Sequence, residues 1–271
     1  MDVEEHTIEL DGAPVFLRRA PPAGVETLYL HSVPTSCDDW GEPLARTGGV
    51  AVDLPGFGRT GKAGNLDYSL GGYVTFAERL LEHLGLEQVS VVGHGWGAAV
   101  ALLLAGRAAD RVARVAIVDA LPLLDGFAWP PLARWLRRPG VGELLMGSVN
   151  RWLLARVLRG ACADPGAWPA ERVNAIWEQF DQGTQRAILR LHRSVDIDSL
   201  PVIGAGLRQL SQPVLVVWGE LDPWFPASFA GAYARALPDA ELELCEGAGH
   251  WPWLERPHLA ERLAHFATTG E

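Results

Sequence analysis

The chain has 271 residues, of which 48% are hydrophobic and 21% charged, enough for one substantial core with an inserted subdomain but not for two large independent domains. The formal net charge is −10, and outside helix-like segments no basic cluster is longer than Arg137-Arg138, so nucleic-acid binding is not expected. The acidic start, Asp2 to Glu5, contains no apolar run typical of a secretory signal, and we expect a cytoplasmic protein.

The longest apolar stretch runs from Val89 to Gly106 and is interrupted by Ser90, His94 and several glycines. This composition predicts a buried strand, a tight turn and a helix, not a membrane span. The chain has three cysteines, Cys37, Cys162 and Cys245. Their odd number and wide spacing fit neither a zinc site nor a redox motif, so we expect reduced thiols, no metal and no cofactor.

Eight segments have the pattern of β-strands. His6 to Leu10 and Pro14 to Arg18 flank Asp11-Gly12, a hairpin turn signal, and predict an antiparallel pair at the start of the sheet. Six further apolar or β-branched runs follow: Val25 to His31, Gly49 to Asp53, Val89 to Gly93, Val112 to Asp119, Pro213 to Trp218 and Ala240 to Cys245. Helical patterns between them predict a mostly parallel eight-stranded sheet with helices on both faces.

Helices are predicted from Ser69 to Leu84, from Trp96 to Ala108 and from Glu255 to Ala267. Between Pro122 and Gln212 no strand-like run occurs, and aromatic residues recur at helical spacing. These include Trp129, Trp135, Trp152, Trp168 and Trp177. The sequence therefore predicts an α/β fold with a helical insertion after the sixth strand, dividing the chain into residues 1–121, 122–212 and 213–271.

Four loops carry recognisable motifs. The strand from Val89 runs into Gly93–Gly97, read G-H-G-W-G, and then into an Ala-rich helix, the setting of a nucleophile elbow. Leu30–Pro34 is similar to an H-G-x-P loop, and Asp53–Thr60 is similar to D-x-P-G-x-G-x-S. Gly219–Pro223 and Gly247–Trp251 match the loops that carry a catalytic acid and a catalytic histidine. Together the motifs resemble the capped α/β-hydrolases, which include haloalkane dehalogenases, epoxide hydrolases, C–C bond hydrolases and many esterases.

Gly95 departs from this resemblance, because the family has Ser, Asp or Cys at the centre of the elbow. Glycine offers no oxygen or sulfur, so no acyl- or alkyl-enzyme can form at Gly95. Loss of such a nucleophile typically lowers kcat about 10⁶-fold. An ordinary serine-hydrolase mechanism at this position is therefore excluded, although glycine relieves about 1–3 kcal/mol of the backbone strain that an elbow imposes.

The resemblance implies that the other catalytic parts are retained. His250 would be held by Asp222 as a general base, and the backbone N–H groups of Val33 and Trp96 would form an oxyanion hole. Asp119 is an alternative acid, although it and Asp53 more simply organise turns. A further alternative makes Cys37 a relocated nucleophile.

Candidate substrate-binding residues come from the same loops and from the predicted insertion, which would form the cap. They are Trp224, Trp251, His31, His94, Trp129, Trp135 and Trp177, with His31 and His94 expected mainly to support the loops. A dinucleotide-binding fingerprint is formally present in Gly93–Ala98, but that motif is expected on the first strand and leaves the other loops unexplained.

Three functions are consistent with the sequence. The preferred hypothesis is an enzyme in which His250 and Asp222 perform non-covalent general-base chemistry, such as cyclisation, conjugate addition or other C–C bond formation or cleavage. Its substrate would be a bulky apolar small molecule, and its expected setting is bacterial natural-product biosynthesis. The alternatives are a hydrolase whose nucleophile has been replaced by Gly95, and a non-catalytic binding protein. We expect no nucleic-acid or membrane partner, and a monomer or homodimer.

Overall fold

A computed structural model describes residues 1–270 and contains one eight-stranded sheet. Its strands are β1 (Glu4–Leu10), β2 (Ala13–Ala20), β3 (Glu26–Leu30), β4 (Gly49–Val52), β5 (Val89–His94), β6 (Val112–Val118), β7 (Val214–Gly219) and β8 (Ala240–Cys245). The spatial order is β1-β2-β4-β3-β5-β6-β7-β8. Pairs β1/β2 and β2/β4 are antiparallel, and the other five pairs are parallel. The predicted α/β fold, with an antiparallel edge and a parallel middle, is confirmed.

The first hairpin forms where the turn signal places it. Leu10 pairs with Ala13, and the two intervening residues both have positive φ, 53° at Asp11 and 76° at Gly12. Two consecutive left-handed residues fit the twist of an antiparallel pair, and Asp-Gly adopts them readily. The turn chemistry therefore fixes the register of β1 against β2.

The described chain contains twelve α-helices. They are α1 (Gly41–Thr47), α2 (Leu70–His83), α3 (Gly95–Arg107), α4 (Pro131–Leu136), α5 (Val141–Ser148), α6 (Arg151–Gly160), α7 (Ala170–Gln179), α8 (Gln182–Ser194), α9 (Leu200–Ile203), α10 (Ser228–Ala236), α11 (Pro252–Glu255) and α12 (Pro257–Thr269). Short 3₁₀ helices cover Cys37–Trp40, Pro165–Ala167, Ile197–Ser199 and Gly204–Gln209. Ser69 caps α2 as predicted, since its Oγ accepts the N–H of Gly72 at 3.0 Å.

Both faces of the central part of the sheet are buried. Along β5, Val91 belongs to the core on the α2 and α3 side, which also contains Leu80 and Leu102. Its neighbour Val92 belongs to the opposite core, with Phe266 of α12. Consecutive strand residues point to opposite faces, so uninterrupted apolar runs are what a doubly covered parallel sheet requires.

Helices α4 to α9 connect β6 to β7, and the described residues of this connection contain no strand. We call this helical segment the cap. The finer division at residues 121 and 212 stays a prediction. Within residues 1–270 no helix is both long and apolar enough to cross a membrane.

Candidate active site

The turn from β5 into α3 has the form of an elbow, with Gly95 as the first helical residue at φ +53°. A Cβ built on Gly95 would lie 3.6 Å from Nε2 of His250. A side chain at position 95 would therefore point at the imidazole of His250. Glycine has no side chain, so this position contributes no functional group.

Ser32 occupies the space in front of Gly95. The same Cβ position lies 2.1 Å from Ser32 Oγ and 2.8 Å from Ser32 Cβ, well inside normal contact distance. Ser32 occupies the glycine position of the H-G-x-P loop. Compared with the motifs, the chain therefore lacks a side chain at position 95 and has an additional one beside it, at position 32. Ser32 is absent from our predicted site residues, and the signal that could have identified it was this departure from the loop motif.

The backbone that carries Ser32 is held tightly. Its carbonyl accepts hydrogen bonds from Nδ1 of His31 at 2.7 Å and from the N–H and hydroxyl of Thr35, each at 3.1 Å. Nε2 of His31 accepts the N–H of Leu54 at 2.9 Å, which assigns the proton to Nδ1. Burial lowers the pKa of His31, so this neutral histidine positions the loop instead of lining the cavity.

Trp96 connects Ser32 to the start of α3. The Trp96 N–H donates to Ser32 Oγ at 3.3 Å. The sequence assigned this N–H, with that of Val33, to an oxyanion hole. In the structure it already has an acceptor, and both residues line the cavity beside it.

His250 and Asp222 form a buried pair. Nδ1 of His250 lies 2.7 Å from Oδ2 of Asp222, while the other carboxylate oxygen accepts the N–H groups of Trp224 at 2.7 Å and Phe225 at 3.2 Å. Three hydrogen bonds thus fix the carboxylate, which in turn fixes the ring. Nε2 is the imidazole nitrogen left to face position 95.

The backbone of His250 is also anchored. Its carbonyl accepts from Nε2 of His94 at 2.8 Å, and its N–H donates to the carbonyl of Ala161, at the end of α6, at 2.8 Å. Burial, and then the neighbouring His250, lower the pKa of His94 well below its usual range. His94 is therefore a neutral positioning residue.

Asp119 lies behind the pair. One of its oxygens accepts the N–H of Gly219 at 3.0 Å, and burial, then the charge of Asp222, raise its pKa well above the usual range. Asp222, not Asp119, holds the imidazole, so the geometry favours Asp222 over the alternative acid. Potential metal-ligand atoms of Asp119, Asp222 and His250 lie within 4.8 Å of one another, but the 2.7 Å contact between two of them is a hydrogen bond.

A cavity of about 190 Å³ lies between these groups and the cap. Ser32, Trp96, Trp224 and His250 line its base, and its apolar walls come mainly from the cap. The cap contributes Trp129, Met146, Phe180, Ile188 and His192, among others. This lining suits a small, largely apolar molecule that places one polar group at the base.

His192 is a second cavity residue that the sequence did not identify. Its Nδ1 donates to the carbonyl of Ile188 at 2.8 Å, and its ring contacts Trp96 edge-on at 5.1 Å. Burial lowers the pKa of His192 to about 4. It is therefore neutral at pH 7 and adds no charge to the apolar wall.

Several predicted substrate-binding residues lie outside the cavity lining, while Trp129 and Trp224 are part of it. Trp251 is buried against Trp168, with ring centroids 5.0 Å apart, and Trp177 stacks behind Phe180. Trp135 is 48% exposed on the cap surface. His31 and His94 are buried supports, as described above. Aromatic spacing in the sequence identified the cap but not which ring faces inward.

Cys37 does not fit the role of a relocated nucleophile. Its N–H donates to Oδ1 of Asp53 at 2.7 Å, and burial, then Asp53, raise the pKa of its thiol well above the usual range. A neutral, buried thiol beside a carboxylate is a poor nucleophile. Asp53 instead organises its turn, because its other oxygen accepts from the backbone N–H and Nε of Arg59.

Known proteins are similar to this chain over most of its length. A family model described as alpha/beta hydrolase fold matches residues 28–257. A haloalkane dehalogenase from Mesorhizobium japonicum is 31% identical over 252 residues, covering 83% of this chain and 77% of that protein. A 2-hydroxymuconate semialdehyde hydrolase from Pseudomonas putida is 28% identical over 226 residues, covering 80% and 74%. An acetyltransferase component of the acetoin cleaving system from Cupriavidus necator is 29% identical over 270 residues, and this chain spans 64% of its length.

Solved structures are similar to this chain in their fold. Cfl2 from Burkholderia cenocepacia superposes with a TM-score of 0.86 at 23% identity, covering 98% of this chain and 96% of that one. The haloalkane dehalogenase DbeA from Bradyrhizobium elkani gives the same TM-score and identity, covering 99% and 98%. The likeness extends across both the sheet and the cap.

Proposed function

This chain belongs to the α/β-hydrolase fold family, and we propose from that premise that His250 and Asp222 act as its general base on a small apolar molecule bound beneath the cap. The observation that carries the proposal is the oriented imidazole, fixed through Nδ1 at 2.7 Å while the ring borders the apolar cavity. A base placed in this way contributes about 10²–10⁴-fold to a rate. No covalent bond to residue 95 is part of the proposal.

Hydrolysis is the reaction that we favour. The matched proteins are named as a haloalkane dehalogenase, a 2-hydroxymuconate semialdehyde hydrolase and an acetyltransferase component, so cyclisation and C–C bond formation depend on the sequence argument alone. For those reactions His250 would remove a proton from the substrate itself. The cytoplasmic location and the monomeric or homodimeric state also remain predictions.

The hydrolase with a replaced nucleophile fits the site less well. If Gly95 were a substitution in an otherwise unchanged site, the space in front of it would be free. Instead Ser32 fills that space, 2.1 Å from the position of a Cβ at residue 95. Ser32 and Gly95 therefore occupy complementary space. This supports a site in which glycine at position 95 accompanies serine at position 32.

The proposal is tested with two small apolar probes, para-nitrophenyl butyrate for hydrolysis and 5-nitrobenzisoxazole for removal of a carbon-bound proton. We expect turnover of at least one probe, with His250→Ala and Asp222→Asn each lowering it by about 10²–10⁴-fold. His258→Ala is the matched control, because the His258 side chain is 67% exposed and its Nε2 lies 3.9 Å from a carboxylate oxygen of Glu243.

Circular dichroism and unfolding curves establish that each variant is folded. Turnover retained in folded His250→Ala contradicts the general-base role. A wild-type protein that binds either probe without turning it over supports the non-catalytic alternative instead.

A further inference from the structure

We propose that Ser32 supplies the nucleophilic hydroxyl that Gly95 lacks, and that the substrates are small apolar esters or thioesters. This inference rests on the proposed function, because His250 must act as the base that activates the hydroxyl. It identifies the proton that His250 removes and assigns the covalent step to a loop other than the elbow.

The sheet register explains how a nucleophile can change position. Strands β3 and β5 are parallel neighbours, and Leu30 pairs with Gly93. Ser32 and Gly95 each lie two residues beyond that pair, where both strands have ended at the same edge of the sheet. Side chains at the two positions therefore lie close together at that edge. Ser32 Oγ lies 2.1 Å and His250 Nε2 lies 3.6 Å from the Cβ position of residue 95.

The surroundings of Ser32 Oγ favour its ionised form. The N–H of Trp96 donates to this oxygen at 3.3 Å and belongs to the first turn of α3, a helix of 13 residues. A hydrogen bond to the charged form and the positive end of a helix both stabilise an alkoxide. Among the described residues that line the cavity, Ser32 alone has a hydroxyl group, and none has a thiol.

The reaction is a two-step acyl transfer. His250 Nε2 takes the hydroxyl proton, Ser32 Oγ forms a bond to the carbonyl carbon, and the carbonyl electron pair moves onto its oxygen, beside the backbone of Val33. When the carbonyl re-forms, the bond to the alcohol or thiol breaks and the leaving group receives the proton from His250. A water then loses a proton to His250, attacks the acyl carbon and releases the acid, and the proton returns to Ser32.

A fluorophosphonate probe tests this assignment directly, because it forms a stable bond to an activated serine. We expect one adduct by intact mass and its location on Ser32 by peptide mapping. Ser32→Ala should abolish the adduct and lower ester turnover at least about 10³-fold. Ser36→Ala is the matched control, since Ser36 is a buried serine of the same loop whose Oγ caps the following turn, and it should label normally.

The outcomes separate this inference from the proposed function. No adduct, or an adduct on another residue, overturns the role of Ser32. Ester turnover that survives Ser32→Ala but is lost in His250→Ala also overturns it, while leaving the general base in place. Turnover that survives His250→Ala removes the premise on which both depend.

Discussion

Positions 32 and 95 should behave as one unit when they are substituted. Two carbon atoms that are not bonded pack at about 3.5–4.0 Å, whereas a Cβ at residue 95 would lie 2.8 Å from Ser32 Cβ and 2.1 Å from Ser32 Oγ. Rotation of the Ser32 side chain can relieve the contact with Oγ. It cannot relieve the contact with Cβ, which is fixed to the backbone, so Gly95→Ser alone must displace the loop.

The expected energies follow from these contacts. Overpacking costs about 1–3 kcal/mol, and the φ of +53° at position 95 costs a serine about 1–3 kcal/mol more. Gly95→Ser should therefore lower the free energy of unfolding by about 2–6 kcal/mol. In the double variant Ser32→Gly plus Gly95→Ser only the backbone strain remains, which predicts a coupling free energy of about 1–3 kcal/mol.

Urea unfolding of the wild type, both single variants and the double variant measures this coupling as a double-mutant cycle. Free energies that add to within about 0.5 kcal/mol would refute the steric argument. The double variant has a second readout. Its serine Cβ would lie 3.6 Å from His250 Nε2, so the fluorophosphonate adduct should move from residue 32 to residue 95.

Two further predictions concern the histidines and the cap. His31, His94 and His192 all have pKa values below the usual range, so the unfolded chain binds these protons before the folded one does. The contribution of these three histidines to stability should be complete above about pH 6.5 and be lost toward pH 4, while the raised pKa values of the buried Asp39 and Asp119 oppose this loss. His192→Gln should make the change in the urea midpoint from pH 7 to pH 4.5 less destabilising than it is in the wild type. An equal change in both proteins contradicts this role of His192. Trp129→Ala should raise KM for an apolar ester about 10-fold or more, because that ring lines the cavity. Trp135→Ala, on the exposed face of the cap, should leave KM unchanged. Equal effects of the two substitutions on KM would contradict the orientation of these rings.

Local patterns in the sequence were sufficient for the strands and for the helices with strong caps. Ser69 and the apolar spacing that follows it define α2 almost to the residue. In contrast, α1 begins Gly41-Glu42-Pro43, a composition typical of a loop, and burial of Leu44 in the core that contains Tyr29 and Ala51 stabilises this helix. Burial of this kind is not visible in the local sequence.

The candidate site also contains residues that the local sequence could predict and residues that it could not. Asp222 and His250 were predictable because each lies in a short, distinctive loop. The relation of Ser32 to Gly95 was not, because it depends on the alignment of β3 with β5, and each loop was compared with its motif separately. His192 was missed for a similar reason, since a histidine within an amphipathic helix carries no sign that it faces a cavity.

The loop that carries His250 is joined to the cap at two places, and this links the position of the base to that of the cap. The N–H of His250 donates to Ala161 at 2.8 Å, while Glu255 accepts the N–H groups of Gly249 and Asp164, each at 2.7 Å. Three hydrogen bonds therefore tie the end of α6 and the residues after it to the loop that holds the imidazole. A substitution that displaces the end of α6 would be transmitted through these contacts to the candidate base.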